Sequence, residues 1–133
     1  MSRAWAEIDL AATRRNVSAL ERATGRSPIA VMKANAYGHG STTCGRAALE
    51  AGARMLAVAT AGEARELRDA LGRSAPILVL GALLDEEALE AVAMGAVTVI
   101  HERRDLERIS AAARSLETVA RIHLEVDSGL HAD

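Results

Sequence analysis

The stretch MLAVATAGEARELRDALGRSAPILVL, residues 55–80, predicts a strand, a helix and a second strand in succession. MLAVAT and PILVL are short apolar runs of the kind that form strands buried on both faces of a sheet. Between them, Thr60 and Glu63 have the spacing of a capping box, and Gly72 stands where a helix would end. This order is typical of a βαβ unit, in which a helix joins two parallel strands.

The same pattern continues on both sides of this stretch. Three further apolar runs are predicted strands: PIAVM (28–32), VTVI (97–100) and ARIHLEV (120–126). Helical periodicity separates them. One helix is expected to bury Ala88, Leu89 and Val92, and the next to stack Leu106, Ile109 and Leu116 on one face. The fold class is therefore α/β, and the pattern leaves two architectures open. These are an open doubly wound sheet and the first five units of an eight-stranded barrel.

Composition limits the classes of function. The chain of 133 residues is 50% hydrophobic and has no linker-like segment, which indicates one domain with a real core. It has no Phe, one Trp and one Tyr, so aromatic platforms for nucleic acid are excluded. A net charge of -2 with arginines spread along the chain provides no basic surface for polyanions or anionic lipid.

Cellular context is predicted from what the sequence contains. Cys44 is the single cysteine, so no internal disulfide can form. No apolar run has the length of a signal-peptide core or of a membrane span. We therefore expect a protein of the reducing cytoplasm that binds neither nucleic acid nor membranes.

The first predicted strand leads into the most informative residue, Lys33, the only lysine among 16 basic residues. Strand alternation places Ile29, Val31 and Lys33 on one face, with Lys33 at the carboxyl end, where active sites of parallel α/β folds collect. A neutral amine is the nucleophile that forms Schiff bases, whereas an arginine guanidinium does not deprotonate in proteins. The reactivity of a lysine amine therefore gives a reason why this basic position is lysine and not arginine.

The residues after Lys33, ANAYGHG (34–40), are rich in glycine and precede a predicted helix. Free N–H groups at a helix start favour a phosphate, and the Tyr37 hydroxyl adds a possible hydrogen bond. A reactive lysine beside a phosphate site indicates pyridoxal phosphate. An ordinary strand end followed by a turn explains the same residues, and the pattern alone does not decide between the two.

Several blocks carry a family resemblance. AVMKANAYGHG closely resembles the cofactor-lysine motif of bacterial alanine racemases. AWAEIDLAATRRNVSAL, GARMLAVATAGEARELR, PILVLG and HLEVDSGL resemble further blocks of the same family along the chain. The resemblance implies that residues 1–133 are a single partial domain, the N-terminal portion of a (β/α)8 TIM-type barrel with about five βα units. The rest of the barrel and a C-terminal β domain would be absent.

The resemblance also implies a function. Such enzymes interconvert L-alanine and D-alanine for peptidoglycan synthesis, use pyridoxal 5'-phosphate and act as homodimers. By motif match, Lys33 would hold the cofactor covalently and act as one of two catalytic bases. Tyr37 would contact the cofactor phosphate, and Val31 and Leu80 would pack near the cofactor. Asn35 and His39 would hold the loop; no metal is implied.

Two departures from the family pattern limit this expectation. The second base, a tyrosine of the partner subunit, belongs to later sequence, so residues 1–133 alone are expected to be inactive. The family usually has a lysine, often carbamylated, where this chain has Glu125, and an arginine where it has Ala132. We expect Glu125 to be a structural carboxylate.

Two alternatives to an alanine racemase remain open. A racemase for another amino acid, such as serine, would share these motifs, and so would a non-catalytic pyridoxal-phosphate-binding protein. A metal site is disfavoured, because the spacing of His101, His123 and His131 does not support one.

Overall fold

The computed structural model describes residues 4–129 and contains one parallel sheet of five strands. The strands are β1 (Ile29–Val31), β2 (Met55–Val58), β3 (Ile77–Val79), β4 (Val97–Ile100) and β5 (Ile122–Leu124). The helices are α1 (Leu10–Thr24), α2 (Lys33–Tyr37), α3 (Ser41–Glu50), α4 (Ala61–Leu71), α5 (Asp85–Ala93) and α6 (Arg103–Ser115). All five predicted strands are confirmed, each within the predicted run.

Strand order decides between the two architectures. The order is β1-β2-β3-β4-β5, so each strand pairs with the next one along the chain. A doubly wound sheet would instead reverse its order and carry helices on both faces. The chain is therefore the first part of a (β/α)8 barrel, as the resemblance implied.

The two faces of the sheet have different cores. On the outer face, strand residues such as Leu56 and Val79 pack with helix residues such as Leu67 in one large cluster. On the inner face, a smaller cluster consists of strand residues alone: Met55, Ala57, Leu78, Val97 and Val99. We call this second group the inner-face cluster. It corresponds to the side-chain layers that fill a barrel interior.

The predicted helix between β2 and β3 has the expected ends. Thr60 Oγ1 accepts a hydrogen bond from the Glu63 N–H at 3.2 Å, and the Glu63 carboxylate accepts from the Thr60 N–H at 3.3 Å, which confirms the capping box. The helix ends at Gly72, whose N–H donates to the Arg68 carbonyl at 2.9 Å. Arg68 is buried, and burial lowers the pKa of its guanidinium.

The prediction that Leu89 is buried is wrong, and the two leucines predicted to stack with Ile109 are also exposed. Leu89 is 43% exposed, Leu106 is 48% exposed and Leu116 is 38% exposed. The residues that α5 and α6 bury include Ala91 and Ala112, together with the correctly predicted Ala88, Val92 and Ile109. Small alanines thus occupy buried positions in both helices, whereas these larger leucines remain exposed to solvent.

Within residues 4–129, no helix is both long enough and apolar enough to cross a lipid bilayer.

Candidate functional site

The carboxyl ends of the strands form the candidate site. In the sheet register, Val31 pairs with Ala57, Ala57 with Leu78, and Val99 with His123. These residues belong to the inner-facing set, and alternation adds the residues two positions further on. The inner side of this edge therefore carries Leu80 after β3, His101 after β4 and Glu125 after β5. Lys33 lies at the same edge, directly after Met32, where the extended backbone of β1 has ended.

The segment that follows Lys33 is a left-handed helical turn, which the sequence pattern had suggested only as a glycine-rich loop. Ala34, Asn35, Ala36 and Tyr37 have φ angles of 50°, 54°, 54° and 54°. The turn has its own ladder, with the Ala36 N–H donating to the Met32 carbonyl at 2.8 Å. A left-handed helical conformation costs an L-residue roughly 1–2 kcal/mol, so contacts outside the turn must hold it.

Asn35 and His39 supply two of these contacts. Asn35 Oδ1 accepts from the Ser41 N–H at 2.8 Å, and His39 Nδ1 lies 2.9 Å from the Ala36 carbonyl oxygen. The expectation that both residues hold the loop is confirmed. The Ser41 N–H, one of the groups expected to be open to a phosphate, is already engaged by Asn35.

Glu63 supplies the third contact, a role at the site that the sequence did not predict. Its Oε1 accepts from the Ala34 N–H at 2.7 Å, and its Oε2 accepts from the Ala59 N–H at 2.8 Å. The carboxylate therefore connects the segment after β1 to the segment after β2. The capping-box spacing identified one function of this residue, but no local signal indicated the second, because Ala34 lies 29 positions away.

Lys33 and Tyr37 present their polar groups to solvent at this edge. Both residues are exposed, Tyr37 by 61%. Within residues 4–129, the Lys33 amine makes no ion pair and the Tyr37 hydroxyl no hydrogen bond. An exposed amine and an exposed phenol hydroxyl within one short turn fit the covalent and phosphate contacts of pyridoxal phosphate.

Val31 and Leu80 are the apolar residues predicted near the cofactor. Val31 is 39% exposed on the open side of β1. Leu80 is partly buried against the inner-face cluster, two strands away. The structure thus places both on the inner side of the sheet, and only Val31 lies on the strand that leads into Lys33.

His101 gives Glu125 a partner that the sequence did not predict. Its Nδ1 lies 3.2 Å from Glu125 Oε2, and its Nε2 lies 2.8 Å from the Leu80 carbonyl oxygen. Both neighbouring atoms are hydrogen-bond acceptors, so His101 connects the ends of β3 and β5 through its two ring nitrogens. This bridge across three strand ends agrees with a structural role for Glu125.

The remaining predicted positions do not add a metal centre. His131 and Ala132 lie outside the described residues. In the part of the chain that the structure describes, no three His, Cys, Asp or Glu side chains are grouped to hold a metal ion.

The five-stranded parallel sheet and the residues at the carboxyl ends of its strands define the amino-terminal part of a (β/α)8 barrel. In this part, a lysine follows the first strand. The family model described as "Alanine racemase, N-terminal domain" matches residues 8–131, and the chain belongs to this family.

Individual relatives agree with this assignment. The alanine racemase of Methanococcus maripaludis is 42% identical over 128 residues, which are 95% of this chain and 34% of that protein. The structure of alanine racemase from Streptomyces coelicolor has a TM-score of 0.86 at 41% identity and covers 93% of this chain and 33% of that one. Histidine racemase from Leuconostoc mesenteroides has a TM-score of 0.83 at 25% identity, over 94% and 34% of the two chains. The chain therefore spans about a third of the length of these relatives.

Proposed function

We propose that this chain supplies the cofactor-lysine part of a pyridoxal-phosphate-dependent alanine racemase. The observation that carries the proposal is the unpaired Lys33 at the carboxyl end of β1, followed by a left-handed turn that ends at the exposed Tyr37. The complete enzyme would be a cytoplasmic homodimer that provides D-alanine for peptidoglycan. Residues 1–133 would be one partial domain of that enzyme.

Each site residue has a separate role in this proposal. Lys33 would hold the cofactor through its Nζ amine and would act as the base that removes or returns the α-proton on one face of the amino acid. Tyr37 Oη donates to a phosphate oxygen. Val31 and Leu80 provide apolar surface beside the ring and limit access of water. When bound, pyridoxal phosphate supplies the electron sink that makes the α-proton removable.

Racemisation also requires proton exchange on the opposite face. The family resemblance assigns that second base to a tyrosine of the partner subunit, in sequence beyond these residues. Tyr37 does not replace it, because its motif position directs it to the phosphate. Lys33 alone is expected to exchange a proton on one face only.

A different amino-acid substrate is the second candidate function. The observation that favours it is the similarity to a protein described as histidine racemase. None of the residues assigned above contacts a substrate side chain in the proposal, so they serve either substrate. A non-catalytic pyridoxal-phosphate carrier is the third candidate.

Covalent labelling tests the cofactor assignment. We expect pyridoxal phosphate to produce a visible absorbance that borohydride fixes onto Lys33, with the N-terminal amine as the only competing amine of this chain. Lys33→Arg should abolish the labelling, and Tyr37→Phe should weaken cofactor binding about tenfold, since it removes one hydrogen bond to a charged group. Labelling that peptide mapping finds only at the N-terminus would contradict the proposal.

Proton exchange separates a racemase from a carrier. With the cofactor bound, L-alanine in deuterium oxide should exchange its α-hydrogen in a way that depends on Lys33. L-histidine under the same conditions tests the second candidate. Absence of exchange for every amino acid, in a protein that binds the cofactor at Lys33, would favour the non-catalytic carrier.

A further inference from the structure

We propose that Glu63 is a positioning residue for Lys33, an inference that rests on the function proposed above for that lysine. Its carboxylate binds the peptide N–H immediately after Lys33. Through this bond it sets the orientation of the Lys33–Ala34 peptide plane, and with it the direction in which the lysine side chain leaves the strand end.

The two carboxylate oxygens serve two different segments. Oε2 accepts from the Ala59 and Thr60 N–H groups at 2.8 and 3.3 Å, which is the capping of α4. Oε1 accepts from the Ala34 N–H at 2.7 Å. The second bond is not needed for capping, and its short length is typical of a charge-assisted hydrogen bond.

The equivalent carboxylates of the next two helices show that the bond from the Ala34 N–H is specific to Glu63. Glu87 holds the same position in α5, where its carboxylate accepts from the Leu84 N–H at 2.8 Å. Asp105 holds it in α6, where Oδ2 accepts from the His101 and Glu102 N–H groups at 3.0 and 3.1 Å. Among the described residues, Asp105 Oδ1 has no hydrogen-bond partner. Of the three carboxylates, only Glu63 binds the segment after a neighbouring strand.

The turn after Lys33 needs such a contact at its start. Ala34 is the first of four successive left-handed residues, none of which is glycine. Asn35 holds the far end of the turn through the Ser41 N–H. Glu63 holds the near end, so the pair of contacts keeps Lys33 and Tyr37 in a constant relation.

The test compares Glu63→Gln with the matched control Glu87→Gln. Every group that faces the Glu63 carboxylate is an N–H donor, and a glutamine has only one acceptor oxygen, so E63Q must lose one side of the bridge. Glu87 uses one oxygen, so E87Q keeps its bond. Each variant replaces the glutamate at the third position of its own helix, and each removes one negative charge.

Two kinds of measurement are made on each variant. By NMR, E63Q should speed hydrogen exchange of the Ala34 amide and change the coupling constants that report φ at residues 34–37, while E87Q leaves both unchanged. With pyridoxal phosphate, E63Q should lower the affinity at Lys33 about tenfold and change the circular dichroism of the visible band, which reports cofactor orientation.

The outcomes separate the two proposals. Absence of cofactor labelling at Lys33 in the unsubstituted protein would overturn the proposed function, and the NMR comparison would then decide the role of Glu63 alone. Identical changes in E63Q and E87Q, or no change in E63Q, would overturn the positioning role. If E63Q does not fold, Glu63→Asp replaces it, because the shorter carboxylate keeps its charge but cannot span both segments.

Discussion

At the scale of single residues, the left-handed turn concentrates backbone strain next to the candidate reactive lysine. Ala34, Asn35 and Ala36 adopt a conformation that L-residues rarely take. Such strain persists where surrounding contacts over-determine the backbone, and it is often found at functional sites. Here those contacts come from Glu63 and Asn35, so the turn depends on side chains as much as on its own backbone.

Replacing Ala34 by glycine should relieve part of this strain. Ala34 is exposed and has a φ angle of 50°, so Ala34→Gly should raise the free energy of unfolding by up to about 1 kcal/mol. Ala111 is a matched control, an exposed alanine inside the right-handed helix α6. Ala111→Gly should instead lower the free energy of unfolding by about 1 kcal/mol. Urea denaturation measures both, and equal losses in the two variants would contradict a left-handed turn.

At the scale of elements, the strand ends approach one another closely at the site. The Gly81 N–H donates to the Ala59 carbonyl oxygen at 3.1 Å. A Cβ atom at Gly81 would lie 2.5 Å from the same oxygen, which is too close for any side chain. Glycine at this position therefore lets the segments after β2 and β3 run side by side.

Gly81→Ala should separate these two segments and lower stability by about 1–3 kcal/mol, as overpacking does. Gly62→Ala is the control, because the nearest atom to a Cβ there is Thr60 Oγ1 at 3.9 Å. Alanine is favoured over glycine within a helix, so G62A should be neutral or stabilising. Thermal melting compares the two, and a G81A variant as stable as G62A would show that the strand ends are not packed as described.

At the scale of the whole molecule, the sheet has two outer strands. Within residues 4–129, β1 pairs only with β2, and β5 pairs only with β4. Leu124 on β5 is 71% exposed. Each edge strand has unpaired backbone groups on one side, and such strands with exposed apolar residues favour association with another chain.

We therefore expect this chain to self-associate as its concentration rises, which sedimentation velocity measures. Leu124→Lys should reduce the association, because charge on an outer strand opposes pairing. Val119→Lys is the control, since Val119 is 88% exposed but lies outside the strands. A chain that stays strictly monomeric at every concentration and melts cooperatively would contradict edge pairing.

The sequence by itself determined the elements and the position of the lysine. Apolar runs, caps and glycines act over a few residues, so the βα units and the end of α4 at Gly72 were predicted correctly. Strand alternation predicted that Val31 and Lys33 share one face, and the motif match indicated the family that residues 8–131 belong to.

Only the tertiary structure decided how these elements meet. Local periodicity is the same in a doubly wound sheet and in a barrel, so the choice required the observed strand order. The left-handed turn, the Glu63 bridge and the contact of His101 with Glu125 also required it. These features have the same physical cause. Each depends on hydrogen bonds between segments that are distant along the chain, and adjacent parallel strands bring those segments to one edge of the sheet.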